Sequence, residues 1–179
     1  MTPIFVVVGP PAVGKSTTSR ALAARFAKSL HIPVDNIREM VVSGLRLPSA
    51  DWSDELIQQL SLARASVSHM ALTYREAGFA VVIDDFVDPN HRSDYRTLFN
   101  EPEVHLVLLY PSQNEAHQRN LRRSGNTPAR AYIDDGIRTV YAQLDAVLPQ
   151  LKQEGWHVLD TSLLSVEDTV MAILRLSTT

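Results

Sequence analysis

Apolar positions along the chain fall into two alternating kinds of pattern. Short continuous runs rich in Val and Ile occur at Ile4–Val8, Phe79–Ile83 and Val104–Tyr110. Runs of this length, apolar on both faces, predict strands buried inside a parallel sheet. Between them lie stretches whose apolar residues recur three and four apart, the period of an amphipathic helix. Leu56, Leu60, Ala63, Val67, Met70 and Tyr74 predict a long helix over Asp54–Ala77, capped by Ser53 or Asp51 and stopped by Gly78. Ile133, Ile137, Val140, Leu144 and Val147 mark another helix, and Ser165 with Asp168 resembles a capping box for a final one.

Weaker signals fill the gaps. Thr17–Leu30 reads as the first helix, with Leu22 and Phe26 on one face. His31–Val34 reads as a short strand ending at Asp35, placed at the sheet's edge by Pro33, which cannot donate to a ladder. Asn36–Val42 reads as a brief helix closed by Gly44, and Leu45–Trp52 as a loop. Asp88-Pro89 opens a helix to about Phe99, with proline at its first position. Ser112–Arg123 is polar and helical and is broken at Gly125-Asn126-Thr127-Pro128, and Trp156–Leu159 is the last strand. Alternating strands and helices with short connections predict an α/β fold: a mostly parallel sheet of about five strands covered by helices on both faces. In such sheets ligands bind beyond the carboxyl ends of the strands.

Composition narrows this reading. The 179 residues suit one domain, so 1–179 is read as a single unit. The net charge of −3 argues against a broad basic face for nucleic acid but is compatible with a local basic groove. The absence of cysteine excludes disulfides, thiolate catalysis and Cys-ligated zinc, and fits a reducing cytoplasm. Ile4–Val8 is too short for a leader's apolar region, and no apolar run approaches a membrane span. The six histidines have no metal-ligand spacing and are expected to be structural or surface residues.

The chemistry concentrates at Gly9-Pro10-Pro11-Ala12-Val13-Gly14-Lys15-Ser16, with the spacing G-x-x-x-x-G-K-S between a strand and a helix. Gly9 and Gly14 are expected to adopt backbone angles closed to other residues. Loop N–H groups and the helix N-terminus then form an anion cradle, here from Ala12 and Val13 through Thr17. Lys15 can reach the outer phosphates of a nucleoside triphosphate, and the Ser16 hydroxyl can ligate Mg²⁺. Asp84 and Asp85 end the second apolar strand. They are either a solvated turn or the carboxylates that support Mg²⁺, and Asp84, nearer the apolar run, is the choice. Asp35 and Arg38 lie one helical turn apart. They are either a helix cap with the arginine solvated or salt-bridged, or an acceptor-binding pair in which Asp35 takes the hydroxyl proton and Arg38 holds an anionic acceptor. Arg119, Arg122 and Arg123 precede the Gly/Pro break; they form an ordinary charged face or a mobile lid over the nucleotide around 112–130.

Taken together these residues resemble the small P-loop kinases, a group that includes zeta-type toxins and chloramphenicol phosphotransferases, and among them most closely the kinase domain of phage-type polynucleotide 5′-hydroxyl kinases. The resemblance runs over about the first 145 residues, through Gly9–Ser16, Asp35-Asn36-Ile37-Arg38, Ile83-Asp84 with Asp88-Pro89-Asn90-His91-Arg92, and Arg119-Asn120 with Arg122-Arg123. It implies a three-layer, adenylate-kinase-like P-loop NTPase fold and transfer of the γ-phosphate of ATP, with Mg²⁺, to a polynucleotide 5′-hydroxyl or a small metabolite or drug. Lys15, Asp35 and Arg123 would be catalytic and Arg119 would contact the nucleotide. Asp35, Arg38 and Asp84 would face the acceptor, and Ser16 and Asp84 the metal. The third strand departs from the family pattern: Asp84-Asp85-Phe86 lacks the usual asparagine. The acceptor and the choice between ATP and GTP stay open. A nucleotide-dependent ATPase or switch acting through a protein partner is the second reading.

Overall fold

β1 (Ile4–Val8) is the middle strand of a five-stranded, wholly parallel sheet in the order β2-β3-β1-β4-β5. Its neighbours are β3 (Ala80–Asp84) and β4 (Val104–Leu109), and the edges are β2 (Ser29–Pro33) and β5 (His157–Leu159). The computed structural model describes residues 1–47, 53–86 and 92–177.

Two apolar layers sit on opposite faces of the sheet, as strand alternation requires. Ile4, Val6, Val8, Val81, Ile83 and Leu108 pack on one face, against Ala63, Val67 and Ala71 of α3 (Asp54–Glu76). Phe5, Val7, Val82, Val107 and Leu109 pack on the other, against Leu22 of α1 (Lys15–Ala23) and Val170 and Ile173 of α7 (Val166–Leu176). The long helix α6 (Pro128–Gln153) feeds both layers, with Leu144 on one side and Ile137 and Tyr141 on the other. The predicted three-layer α/β fold is therefore the observed one.

Several boundaries differ from expectation. α1 ends at Ala23, and β2 already begins at Ser29 because Lys28 O accepts from Ala80 N and starts the β2–β3 ladder early. Phe26, read as a helical face residue, lies beyond the helix and packs against Phe5 at 6.0 Å. α2 is only Val34–Arg38, so Asp35 lies inside its first turn rather than ending the strand, and Pro33 holds the cap position. A carboxylate there favours the helix dipole. Ser53, not Asp51, caps α3: its hydroxyl accepts the Leu56 N–H at 3.2 Å. The expected helix from Asp88-Pro89 is described only from Arg92, as a 3₁₀ turn to Tyr95 followed by α4 (Arg96–Phe99). Asp88–His91, Asp51 and Trp52 lie outside the described residues. α5 spans Gln113–Ser124, and the Ser165–Asp168 capping box before α7 is present as expected.

Candidate active site

Parallel register builds the site. Val7 of β1 and Pro33 of β2 both pair with Asp84 of β3, so three neighbouring strands end side by side. The segments leaving them carry the phosphate loop, Asp35 and Asp85. This is the strand-end convergence that the sequence pattern predicts.

The loop from Gly9 to Gly14 is held in a fixed shape. Gly14 has φ +97°, the left-handed region reserved largely for glycine, and Ala12 sits there too at +64°. Gly9 is needed for a different reason from the one expected: its backbone is not left-handed, but a Cβ there would stand 2.6 Å from Leu109 O and 2.9 Å from Val13 Cγ2. Close approach to β4, not backbone angle, fixes this glycine. α1 begins without a side-chain cap and without an acidic residue in its first turn. Its first intrahelical bond runs from Thr18 N to Gly14 O at 2.9 Å, which leaves the amides of Lys15, Ser16 and Thr17 for an anion. Ser16 and Thr17 are exposed there.

Lys15 Nζ donates to Pro10 O at 2.9 Å, folding the side chain back over the loop. Burial pulls its pKa below the ordinary lysine value; Asp84, Asp85 and Asp35 oppose that shift, and Arg123 adds to it. Three carboxylates and one arginine therefore act on this ammonium. Arg123 itself is exposed and has no hydrogen-bond or ion-pair partner among the described residues.

The two strand-end aspartates divide their work. Asp84 is buried, its Oδ2 3.4 Å from His31 Nε2 without hydrogen-bond alignment and otherwise unpartnered. Asp85 Oδ2 accepts from Arg64 Nε at 2.7 Å and Tyr95 OH at 2.9 Å, and Arg64 also reaches Asp94 at 3.1 Å. Burial raises the Asp85 pKa while Arg64 lowers it. Asp85 is thus committed to a buried network through Oδ2, while its Oδ1, like Asp84 Oδ2, is buried without a hydrogen-bond partner among the described residues. Asp35 Oδ1 accepts from Arg38 Nη2 at 3.3 Å; Asp35 is 59% exposed and Arg38 only 5%. Arg38 also donates to Arg46 O at 3.0 Å. The two side chains form a salt bridge, as the structural alternative to an acceptor-binding pair expects, and the arginine is buried.

Residues 112–130 are α5, a turn and the start of α6. Asn120 and His117 both bond to Asp134 Oδ1, at 2.9 and 2.8 Å, and clasp the two helices. Arg119 is a brace: it donates to Val13 O at 2.8 Å, Thr161 O at 2.6 Å and Glu115 Oε1 at 2.9 Å. Glu115 also accepts from Arg122 at 2.7 Å. Arg119 and Arg122 line an open cavity of about 430 Å³ beside Gly14, Thr17, Thr161 and Ser162. The cavity adjoins the uncapped start of α1, where the rest of a nucleotide would extend from its phosphates.

Sequence reading missed Arg64, Asp94 and Tyr95, and the approach of His31 to Asp84. Arg64 carried a signal: it falls four after Leu60 and three before Val67, inside the buried stripe of α3. A charge at such a position needs a buried partner.

Fold and phosphate loop together define the class of small P-loop kinase-like domains. A family model described as an AAA domain matches residues 4–164, and the chain belongs to that family. Among solved structures it is similar to the tunicamycin resistance protein of Deinococcus radiodurans, at 19% identity and a TM-score of 0.68 over 98% of this chain and 95% of that one. It is also similar to shikimate kinase from Acinetobacter baumannii (20%, 0.66, 98% and 93%). A gluconokinase from Sinorhizobium meliloti 1021 is a third such structure (17%, 0.63, 98% and 94%). No curated protein matches the chain significantly. Among the described residues no helix is long and apolar enough to cross a membrane.

Proposed function

We propose that the chain is a kinase that moves the γ-phosphate of ATP to an acceptor hydroxyl. The observation that carries this reading is the parallel register that ends β1, β2 and β3 side by side, so that Asp35 and Asp84 leave the sheet beside the phosphate loop that bears Lys15. The loop amides and Lys15 hold the donor phosphates, and Lys15 exchanges its Pro10 contact for them. Asp35, the most exposed carboxylate of the group, accepts the proton of the attacking hydroxyl, oriented by Arg38. Arg123 neutralises charge on the transferred group.

Ser16 and the unsatisfied Oδ2 of Asp84 fit a Mg²⁺ ion, which takes only one or two protein oxygens beside phosphate oxygens. When bound, such an ion neutralises phosphate charge. Segment 112–130, with Arg119 braced to the loop, is the lid. The shikimate kinase and gluconokinase among the similar structures support a small-molecule hydroxyl as acceptor, whereas the polynucleotide 5′-hydroxyl rests on the sequence resemblance alone.

The test is transfer of label from γ-labelled ATP, with Mg²⁺, to hydroxyl acceptors that include a 5′-hydroxyl oligonucleotide. Lys15→Ala and Asp35→Asn lanes run beside it. Label on an acceptor that disappears with Lys15→Ala is expected. Asp35→Asn is expected to retain ATP binding and lose about 100-fold or more in transfer, as loss of a general base does. Label released only as free phosphate would favour an ATPase or switch.

A further inference from the structure

Resting on the kinase reading, we infer that His31 is a positioning residue for the Mg²⁺ site: it donates from Nε2 to Asp84 and fixes the angle at which that carboxylate meets a cation. The alternation of β2 sets this side chain apart. Leu30 and Ile32 join the apolar layer on the α3 face of the sheet. His31 pairs with Val82, which belongs to the opposite layer, against α1. Asp84 lies two residues beyond Val82 on β3 and so points to that same face. The Asp85 N–H donates to Val7 O at 3.1 Å, which closes the end of β3 onto the strand that carries the phosphate loop. His31 thus stands on the edge strand, against the aspartate that ends the next strand at the root of that loop.

Geometry and burial make the contact specific. His31 Nε2 is 3.4 Å from Asp84 Oδ2, and the two side chains are 12% and 4% exposed. Both atoms are buried, and neither has a hydrogen-bond partner among the described residues. Two buried polar atoms left open beside each other carry a desolvation cost that one aligned hydrogen bond would remove. The tautomer with its proton on Nε2 is the one that can make it. A carboxylate offers about four lone-pair positions, so accepting from His31 leaves Asp84 able to bind a cation. Carboxylates that ligate metals are commonly held by such outer partners, whose loss lowers metal affinity about 10–100-fold.

The test uses Mn²⁺ with ADP as the probe, on the full chain, and follows the paramagnetic resonance of free Mn²⁺. His31→Leu removes the donor and keeps a side chain suited to burial. It is expected to weaken Mn²⁺ binding about tenfold or more, with ADP affinity in EDTA unchanged. His31→Gln carries an amide donor of comparable reach and is expected to recover most of that loss. Full Mn²⁺ affinity in His31→Leu would overturn the inference, as would a loss that His31→Gln shares completely. The parent protein gives a reading that needs no variant. Nitrogen NMR of labelled histidine is expected to show the His31 ring protonated at Nε2, with its resonance displaced when Mg²⁺ joins bound ADP. A ring protonated at Nδ1 alone, or a resonance indifferent to Mg²⁺, would also sink the inference. A Lys15→Ala lane separates these outcomes from the kinase reading. ADP binding that depends on Lys15 while the His31 readouts fail leaves that reading standing. A parent chain that binds no ADP, with or without Mn²⁺, removes both.

Discussion

Arg119 donates to the carbonyl of Val13 at 2.8 Å, and the same guanidinium reaches Thr161 O at 2.6 Å. One side chain on α5 therefore ties the phosphate loop to the segment that enters α7. Hydrogen bonds from a charged donor contribute about 1.5–3 kcal/mol. Arg119→Ala is expected to lower the melting temperature without nucleotide by roughly 3–8 °C. It is also expected to weaken nucleotide binding about tenfold, because the loop loses its brace. Thermal melts and nucleotide titration check both. An unchanged melting temperature with weakened binding would make Arg119 a ligand contact and not a brace.

Gly9→Ala places a methyl group 2.6 Å from Leu109 O, against backbone that cannot swing aside. Overpacking of this kind costs about 1–3 kcal/mol. Denaturant melts are expected to show that loss, together with weakened nucleotide binding, because relief of the clash moves the loop. Gly14→Ala meets no atom within 4 Å and is strained only by its φ of +97°. Its expected cost is smaller, about 1 kcal/mol.

Arg64→Met would leave buried Asp85 and half-buried Asp94 without their cation. Breaking a buried pair by removing one partner costs about 3–5 kcal/mol. Adding Asp85→Asn in the Arg64→Met background is expected to recover part of that loss, since the remaining group is then uncharged. Denaturant midpoints of the three variants form the test, and additive losses would deny the coupling.

Acid is expected to loosen the α5–α6 hairpin through Asp134. Hydrogen bonds from Asn120, then His117, hold the Asp134 pKa below its ordinary value of 3.8. A depressed carboxylate contributes stability in full above its unfolded value and loses it as pH falls through the folded one. Asp134→Asn should therefore melt below the parent at neutral pH, with the difference shrinking under about pH 4. A difference that stayed constant with pH would assign the clasp to shape alone.

The phosphate loop was legible because its residues act locally: Gly14, Lys15 and Ser16 sit where the spacing predicts, between a buried strand and a helix. Asp84 was legible because a carboxylate ending a continuous apolar run is conspicuous. The end of α1 was not, because Phe26 and Ala27 continue an apolar pattern that tertiary packing on Phe5 satisfies from outside the helix. Arg38 was legible as the partner of Asp35 but not as a buried residue, since its burial depends on the Arg46 carbonyl eight residues away. The Arg119 brace rests on contacts 106 and 42 residues apart, beyond any local spacing.

Pro10 and Pro11 lead into the left-handed Ala12. Two ring-locked φ angles restrict this stretch before the chain folds, so less freedom is lost on ordering the loop than in a glycine-rich equivalent. The same rings remove two N–H groups, so after Gly9 every amide the loop can offer an anion comes from Ala12 onward. In the proposed kinase the loop's hold on the donor would then rest on the amides from Ala12 to Thr17 together with Lys15.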